Sequence, residues 1–336
     1  MDRLDERLLN EFQRDFPLVP RPFRALALRL GVGEAEIIAA LARLIAQGSV
    51  SRVGATFVPG RIGAATLAAL AVPPQRLPQV AELVNSFPEV NHNYEREHRF
   101  NLWFVITAPD ERSVNAVVRG IERAARCDRA LSLPMVEPYY VDLGFDFGGT
   151  SAAGRPSRCK EFPAQCANVR LTRGESALVG ALQEGFPLTS APYAELAQHA
   201  AMSEAAVIAT LKRWLDDAVI NRLGVIVRHH ELGYRANAMV VWDVPNVEVR
   251  TAGRRVAAAP CVTLCYRRLR CLPDWRYNLY AMIHGKDRDE VLAQIAALRA
   301  NCDVIRYPFA VLFSRQRFKQ CGAHYLPAAA AAQTHG

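Results

Sequence analysis

Residues 92–104 read HNYEREHRFNLWF, a segment in which two histidines, two arginines and a tyrosine precede an apolar run. We predict a strand on each side of a turn near its middle. Because alternate side chains of a strand share a face, His92, Tyr94 and Arg96 then point the same way. Such a face suits an anionic, aromatic ligand that needs protons delivered. A polar hairpin on a solvated sheet face is the alternative interpretation.

A second copy of this segment lies at residues 264–280 and keeps the tyrosine and the arginine as Tyr266 and Arg268. The position of His92 is taken by Leu264, an apolar residue. The two copies therefore share aromatic and cationic groups and differ in ionisable ones. This pattern suggests that one copy does chemistry and the other supports it.

The whole chain is an internal repeat, because FPL at 16–18 and SRVG at 51–54 return 170 residues later as FPL at 186–188 and NRLG at 221–224. Each half opens with three short helical segments and a β wing, a pattern typical of a helix-turn-helix unit. It continues as strand, helix, strand, strand, helix, strand, the order of a ferredoxin-like domain. The predicted fold class is α+β, with two tandem repeats of a winged helix-turn-helix followed by a ferredoxin-like βαββαβ domain.

The predicted domains follow from the repeat and from composition. A Gly- and Ser-rich stretch without periodicity separates the halves, and alanines dominate the C-terminal tail. The boundaries are 1–60 for helix-turn-helix 1, 61–147 for ferredoxin-like domain 1, 148–168 for the linker, 169–230 for helix-turn-helix 2, 231–326 for ferredoxin-like domain 2 and 327–336 for a disordered tail. We predict the last strand at 304–314. The sheet face without helices favours pairing of the halves as a pseudo-dimer within one chain, and a homo-oligomer stays open.

Composition narrows the class of partner. The chain has 336 residues, of which 51% are hydrophobic, and a formal charge of +8. This charge favours anionic partners such as nucleic acid, phosphates or polycarboxylates. No apolar window approaches the roughly 20 residues of a membrane helix, and the charged N-terminus is unlike a signal peptide. We therefore expect a cytoplasmic protein without a membrane partner.

The eight cysteines form no Cys-x-x-Cys pair. Cys261, Cys265 and Cys271 are close in sequence, but a second cluster with ligand spacing is missing. We therefore predict no metal site and expect free thiols in a reducing compartment.

A helix-turn-helix joined to a βαββαβ domain resembles the architecture of Lrp/AsnC transcription regulators, so a regulator that binds DNA and a small ligand or tetrapyrrole is the alternative function. A recognition helix must offer basic or amide side chains to bases and phosphates. The helix predicted at 33–47 offers Arg43 against Glu34 and Glu36, and the one at 203–217 mixes basic and acidic residues. We expect no sequence-specific DNA binding.

The motif HNYxRxH followed by FNLWF, then CYxR followed by WxYNLY, resembles the two subunits of the siroheme decarboxylase family, which have Lrp/AsnC-like folds. Here both lie in one chain, similar to the fused form associated with heme d1 synthesis in denitrifying bacteria. The resemblance implies removal of the C12 and C18 acetate carboxylates of siroheme, giving 12,18-didecarboxysiroheme. It implies no added cofactor, because the iron is carried by the siroheme substrate.

The resemblance also suggests roles for individual residues. Histidine donates protons near neutral pH, and arginine is the natural partner of the substrate's carboxylates. The general-acid candidates are His92 and His98, for which a sheet-surface residue and a solvated turn residue are the structural alternatives. The candidates for substrate binding are Arg52, Tyr94, Arg96, Arg99, Asn101, Trp103, Arg222, His229, Tyr266, Arg267, Arg268, Asn278 and His284. Asn101 and Asn278 bond either an acetate or the backbone. The family's subunit that corresponds to the second half usually has a histidine where Leu264 stands, which puts the activity of the second half in doubt.

Overall fold

The structure of the protein is a computed structural model that describes residues 3–58, 60–127, 129–141, 168–227 and 236–326. The predicted tail, and the predicted linker apart from Asn168, lie outside these ranges. The elements of the first half are α1 (Arg3–Glu11), α2 (Pro22–Leu30), α3 (Glu34–Ala46), β1 (Val50–Phe57), β2 (Ala64–Leu70), α4 (Leu77–Asn85), β3 (Val90–Arg96), β4 (Leu102–Ala108), α5 (Glu111–Ala125) and β5 (Leu131–Val141). Those of the second half are α6 (Arg173–Glu184), α7 (Pro192–Ala200), α8 (Glu204–Asp216), β6 (Ile220–Val227), β7 (Ala236–Trp242), α9 (Val249–Ala258), β8 (Val262–Arg268), β9 (Leu279–Gly285), α10 (Arg288–Asn301) and β10 (Phe309–Gln320).

Local signals account for the helix ends. Helix α2 starts with a proline at its first position and is followed by Gly31 in the left-handed conformation, with a φ of 73°. Helix α6 begins with a capping box, in which Thr172 and Glu175 exchange hydrogen bonds with each other's backbone. No helix of the described residues is long and apolar enough to cross a membrane.

The two wings β1 and β6 pair with each other as a two-stranded antiparallel sheet. Their register is centred on Gly54, which lies opposite Gly224. A Cβ at Gly224 would lie 2.4 Å from the carbonyl oxygen of Phe12, so the close approach of the chains requires glycine. The helices of both halves share one apolar core, in which the Phe16 and Phe186 rings lie 5.6 Å apart. The two helix-turn-helix units therefore form a single packed body.

The two ferredoxin-like sheets join along both edges into a closed eight-stranded barrel with the order β10-β3-β4-β2-β5-β8-β9-β7. Strand β5 pairs first with β2 and then with β8, and β10 pairs first with β7 and then with β3. The two junctions at which a strand passes from one sheet to the other have the same register. Met135 lies opposite Arg268 at one junction, and Ser314 lies opposite Arg96 at the other. The two halves thus pair as a pseudo-dimer about a pseudo-twofold axis.

The prediction for the last strand was wrong at both ends. It placed the strand at 304–314, whereas β10 spans Phe309–Gln320. The residues after Phe313 are mostly polar, a composition that favours a loop over a strand. They form a strand because β3 would otherwise leave an unpaired edge, which β10 covers.

The helices α4, α5, α9 and α10 cover the outside of the barrel and bury two apolar clusters against it. A third cluster fills part of the barrel interior and is rich in aromatic rings. Within it, the Trp103 and Trp275 rings lie 5.0 Å apart, and the Trp275 indole nitrogen donates to the Tyr280 hydroxyl at 2.6 Å. This packed part of the interior leaves the remainder open toward the wings.

Candidate active site

A cavity of about 910 Å³ extends from the paired wings into the barrel and receives residues from both halves. Its volume is within the range of small-molecule sites, roughly 300–1,000 Å³. The predicted site residues that line it are Arg52, His92, Tyr94, Arg96, Trp103, Arg222, Tyr266, Arg268 and His284. The structure therefore brings most of the sequence-predicted site together, across the pseudo-twofold axis.

Each half supplies a tyrosine–arginine pair to this cavity. The guanidinium carbon of Arg96 lies 5.6 Å from the centre of the Tyr94 ring, and Arg96 donates to a backbone carbonyl of β10 at 3.1 Å. The guanidinium carbon of Arg268 lies 4.6 Å from the Tyr266 ring, and Arg268 donates to a carbonyl of β5 at 2.7 Å. Both arginines are buried, with 7% of their surface exposed, and neither has an ion-pair partner among the described residues. Their charges are available to a bound anion.

The wings add two further arginines. Arg52 donates from Nη2 to the Ala55 carbonyl at 3.2 Å, whereas its Nε is buried without a hydrogen-bond partner in the described part of the chain. Burial lowers the pKa of the Arg52 guanidinium. The group packs against bare backbone, because a Cβ at Gly322 would lie 2.8 Å from its Nη1. Arg222, the counterpart on β6, is buried and also lines the cavity.

The charge of the cavity is strongly one-sided. Among the described lining residues, the charged side chains are the four arginines just named and one carboxylate, Glu111. A low-dielectric cleft lined by one sign of charge attracts ligands of the opposite sign. The described residues contain no group of three or more His, Cys, Asp or Glu side chains arranged to hold a metal ion, and Cys265, Cys271, Cys302 and Cys321 form no disulfide. The arrangement suits a polycarboxylate.

His92 lies beside the wing arginine and above the first tyrosine. Its ring is stacked near that of Tyr94, with centres 6.3 Å apart and planes at 22°. Its Nδ1 lies 2.5 Å from Oδ1 of Asn91. Burial, with a further contribution from the charge of Arg52, lowers the pKa of His92 to about 4. The imidazole is therefore neutral at pH 7 while the cavity holds no anion.

The second half also presents a histidine, at a different position. Leu264 occupies the place of His92, but His284 at the end of β9 is 9% exposed and lines the cavity. Its Nδ1 lies 3.0 Å from Oγ1 of Thr263. The position of His284 corresponds to Thr107 in the first half, since both lie one residue before the end of equivalent strands. Each half thus places one histidine in the cavity, on a different strand.

The two predicted asparagines do not line the cavity. Asn101 bonds the backbone of Val72, accepting from its N–H at 2.9 Å and donating to its carbonyl at 2.8 Å. Asn278 makes the same pair of bonds to Val244, at 3.0 and 2.9 Å. Both amides are committed to holding the loops that follow β2 and β7. The backbone alternative of the sequence analysis is the one that the structure shows.

Three other predicted residues are also absent from the cavity lining. Arg267 alternates with Tyr266 along β8, so its side chain leaves the opposite face of the strand, where its charge acts on Tyr139. Arg99 lies in the exposed turn after β3, over the Phe100 ring at 5.6 Å. His98 is in the same turn. His229 lies outside the described residues.

Replacing His98 with alanine is expected to leave the rate of catalysis within about threefold of the unmodified protein. The ring packs edge-on against Trp275 at 5.2 Å, and Nδ1 accepts from the Phe100 N–H at 3.0 Å, so it stabilises the turn rather than facing the cavity. Changes at exposed positions typically alter free energies by about 0.5 kcal/mol or less. Steady-state rates of the His98→Ala protein test this, and a loss of a hundredfold or more would return His98 to the active site.

Sequence reasoning missed several lining residues. The cavity-lining position of Thr107 could have been predicted from the alternation along β4, because Trp103, Val105 and Thr107 share a face. That of Asn91 could not, because a β-bulge between Val90 and His92 breaks the alternation. The lining residues at 320–323 were hidden by the polar extension of β10, which had been interpreted as lying beyond the last strand.

Comparison with known proteins matches both domain types in both halves. The model described as a siroheme decarboxylase NirDL-like HTH domain matches residues 5–50 and 175–220, and that of the AsnC-like ligand binding domain matches 61–139 and 231–319. These matches confirm the predicted α+β fold of two tandem repeats. They also show that the helix-turn-helix units are of the decarboxylase type.

Similar proteins cover the chain nearly end to end. The siroheme decarboxylase NirDL subunit of Paracoccus denitrificans is 45% identical over 96% of this chain and 97% of its own length. The siroheme decarboxylase of Hydrogenobacter thermophilus is 32% identical over 95% and 94%. A crystal structure of the siroheme decarboxylase NirDL superposes with a TM-score of 0.69 at 30% identity, covering 96% of this chain and 94% of that one. A second NirDL structure, in co-complex with an iron-uroporphyrin III analogue, has a TM-score of 0.67. Because sequence, domain order and fold agree over almost the whole length, the chain belongs to the siroheme decarboxylase family and is a decarboxylating enzyme.

Proposed function

We propose that the protein removes the carboxylates of the C12 and C18 acetates of siroheme, giving 12,18-didecarboxysiroheme and carbon dioxide in heme d1 biosynthesis. The observation that supports this most directly is the set of three cavity arginines, Arg52, Arg96 and Arg268, that form no close ion pair with a carboxylate of the described residues. Charged side chains are seldom buried unless they are paired. Siroheme, with eight carboxylates around a flat ring, supplies the missing partners.

In the proposed complex, the cavity arginines bind the carboxylates of the substrate and the cavity tyrosines pack against its ring. Arginine forms bidentate, charge-assisted hydrogen bonds with carboxylates, so the arginines of the wings and of the barrel hold the rim of the macrocycle from two sides. The rings of Tyr94 and Tyr266 offer apolar faces on either side of the pseudo-twofold axis. A macrocycle that fills the cavity displaces water from it, which strengthens these charge interactions. A fixed orientation of the ring then decides which acetates lie next to His92.

The proposed chemistry consumes one proton for each carbon dioxide released. Protonation of the pyrrole carbon beside an acetate makes the macrocycle an electron sink, and the bond to the carboxylate carbon breaks. The exocyclic methylene that remains is protonated to a methyl group, while the ring returns its proton. His92 supplies these protons as a general acid, because it lies near Arg52, one of the cavity arginines that we propose to hold the carboxylates. The macrocycle accepts the electrons, so we propose that no added cofactor takes part and that the iron belongs to the substrate.

The acidity of His92 sets the expected pH dependence. With a pKa of about 4 in the free protein, the protonated fraction of His92 falls tenfold per pH unit above that value. Because kcat/KM reports the free enzyme, it should fall from about pH 6 to about pH 8. Bound carboxylates raise the pKa of His92, so kcat should hold its plateau to higher pH. Initial rates at limiting and saturating siroheme measure both, and a kcat/KM that rises with pH would make His92 a base.

The direct test is anaerobic incubation of the purified protein with siroheme alone, followed by mass analysis of the tetrapyrrole. We expect loss of the masses of two carbon dioxide molecules without any added cofactor. Loss of one would restrict the reaction to a single acetate. An unchanged tetrapyrrole, together with protection of one promoter sequence from nuclease, would instead establish the regulator.

Two observations argue against the regulator. Arg43, the basic residue of α3, donates to Asp5 of α1 at 2.6 Å. Arg213 of α8 is likewise paired with Glu175 of α6. These ion pairs draw Arg43 and Arg213, one basic side chain from each recognition helix, back toward their own domains. We propose that the helix-turn-helix units bind no specific DNA sequence and that their wings close the active site.

A further inference from the structure

The β-bulge in β3 places Asn91 directly beside His92. The register of β3 against β4 slips between Val90 and His92, so Asn91 is the extra residue of the bulge. Asn91 is 1% exposed and lines the cavity together with its neighbour. A regular strand would have turned one of these two side chains to the opposite face. The bulge therefore brings an amide within reach of the imidazole.

The hydrogen bonds around Asn91 have a single consistent direction. Oγ1 of Thr107 lies 3.0 Å from the carbonyl oxygen of His324, which accepts and cannot donate, so the hydroxyl proton is committed there. The same Oγ1 lies 3.0 Å from Nδ2 of Asn91 and therefore accepts from it. This orientation turns Oδ1 of Asn91 toward Nδ1 of His92, at 2.5 Å. Since Oδ1 is an acceptor, Nδ1 of His92 must carry a proton.

We propose that Asn91 is the positioning residue for His92, fixing its ring and its Nδ1–H tautomer so that Nε2 is the nitrogen that exchanges protons with the ligand. This inference rests on the proposed decarboxylation for its effect on turnover. Partners of this kind orient a histidine through its second nitrogen in metal sites and in catalytic triads. An amide orients the ring as a carboxylate does, but without a negative charge that would hold the imidazolium proton.

The second half uses the corresponding position in the same way. The register of β8 against β9 also slips between Val262 and Leu264, which makes Thr263 the bulge residue. Oγ1 of Thr263 donates to the Met282 carbonyl at 3.2 Å, so it accepts from Nδ1 of His284 at 3.0 Å. The bulge residue thus orients a histidine in both halves, although that histidine lies on a different strand.

Among the described residues, few charged groups act on the pKa of His92, so a change in that pKa can be interpreted. Arg52 of the wing is the charged group that acts on it and lowers its pKa. Tyr94 on the same strand and Cys321 after β10 have pKa values raised by burial, so both are neutral near pH 7. His324, which supplies the carbonyl to Thr107, turns its ring toward Glu184, 3.6 Å away. A change in the titration of His92 is therefore attributable to Asn91 in variants that alter nothing else.

The first experiment needs no turnover. Nitrogen-15 chemical shifts of the His92 ring in the free protein identify the protonated nitrogen. We expect the Nδ1–H tautomer in the unmodified protein and a mixture in Asn91→Leu. Asn91→Asp should raise the pKa of His92 by a unit or more, because a carboxylate beside the ring favours imidazolium. An Nε2–H tautomer in the unmodified protein, or a His92 pKa that Asn91→Asp does not move, would overturn the proposal even if the enzyme is active.

The second experiment follows turnover. Asn91→Leu and Thr107→Val should lower kcat about tenfold or more with siroheme affinity within about threefold, and Thr107→Ser should restore it because serine keeps the hydroxyl. The matched control is Asn93→Ala, which removes a buried asparagine from the same strand that instead bonds Ala81 and Asn85 on the helix side. Equal losses of kcat in Asn93→Ala and Asn91→Leu would make the role structural. A correct tautomer in an inactive unmodified protein would refute the decarboxylation alone.

Discussion

Replacing His92 with alanine is expected to slow siroheme decarboxylation by about 10²–10⁴-fold, the usual effect of removing one positioned proton donor. The affinity for siroheme should change little, because the arginines and tyrosines that hold the macrocycle remain. His92 lines the cavity beside Tyr94, under the influence of the Arg52 charge. Single-turnover conversion followed by mass, with binding followed by siroheme absorbance, separates the two effects.

The matched control for this change is Leu264→Ala, at the equivalent position of β8. Leucine transfers no proton, so turnover should stay largely intact. An inactive Leu264→Ala protein together with an active His92→Ala protein would show that the chemistry does not depend on the first half, where we have placed it. Loss of only one of the two carboxylates in His92→Ala would instead give the second half its own donor, and His284 is the described histidine placed to act there.

The sequence predicted the parts of this site that follow from periodicity. The 170-residue repeat and the alternation of His92, Tyr94 and Arg96 located the paired sheets and the face that carries the chemistry. The same alternation applied to Tyr266 and Arg268, so both tyrosine–arginine pairs were found. These features can be seen in the sequence because a strand with one functional face places its functional residues at every second position.

The features that could not be predicted depend on how distant strands meet. Closure of the barrel requires β10 to leave β7 and pair with β3, and the polar residues after Phe313 carry no signal for that pairing. The bulge at Asn91 shifts a side chain by one position without any glycine or proline to mark it. His98 was grouped with His92 by proximity in sequence, but the turn after β3 carries it away from the cavity toward Trp275.

The wing arginine has the second large expected effect, because a largely buried cation without a close ion-pair partner has opposite consequences for binding and for stability. Arg52 has no ion-pair partner among the described residues, and its Nε is buried without a hydrogen bond there. Replacing an unpaired buried charge with an apolar side chain of similar length is often neutral or stabilising for the free protein. A charge-assisted hydrogen bond to a ligand contributes about 1.5–3 kcal/mol. Methionine at this position therefore discriminates between a structural arginine and one that binds the substrate.

For Arg52→Met we expect siroheme affinity to fall roughly 10–150-fold, as 1.4 kcal/mol is a factor of ten. The melting temperature of the free protein should be unchanged or higher. The pKa of His92 should rise, since the Arg52 charge is one of the two causes that lower it, and the fall of kcat/KM should move to higher pH. Arg99→Met, in the exposed turn, is the control that should change none of these. A lower melting temperature with unchanged affinity would show that Arg52 stabilises the wing and leaves the carboxylates to Arg96 and Arg268.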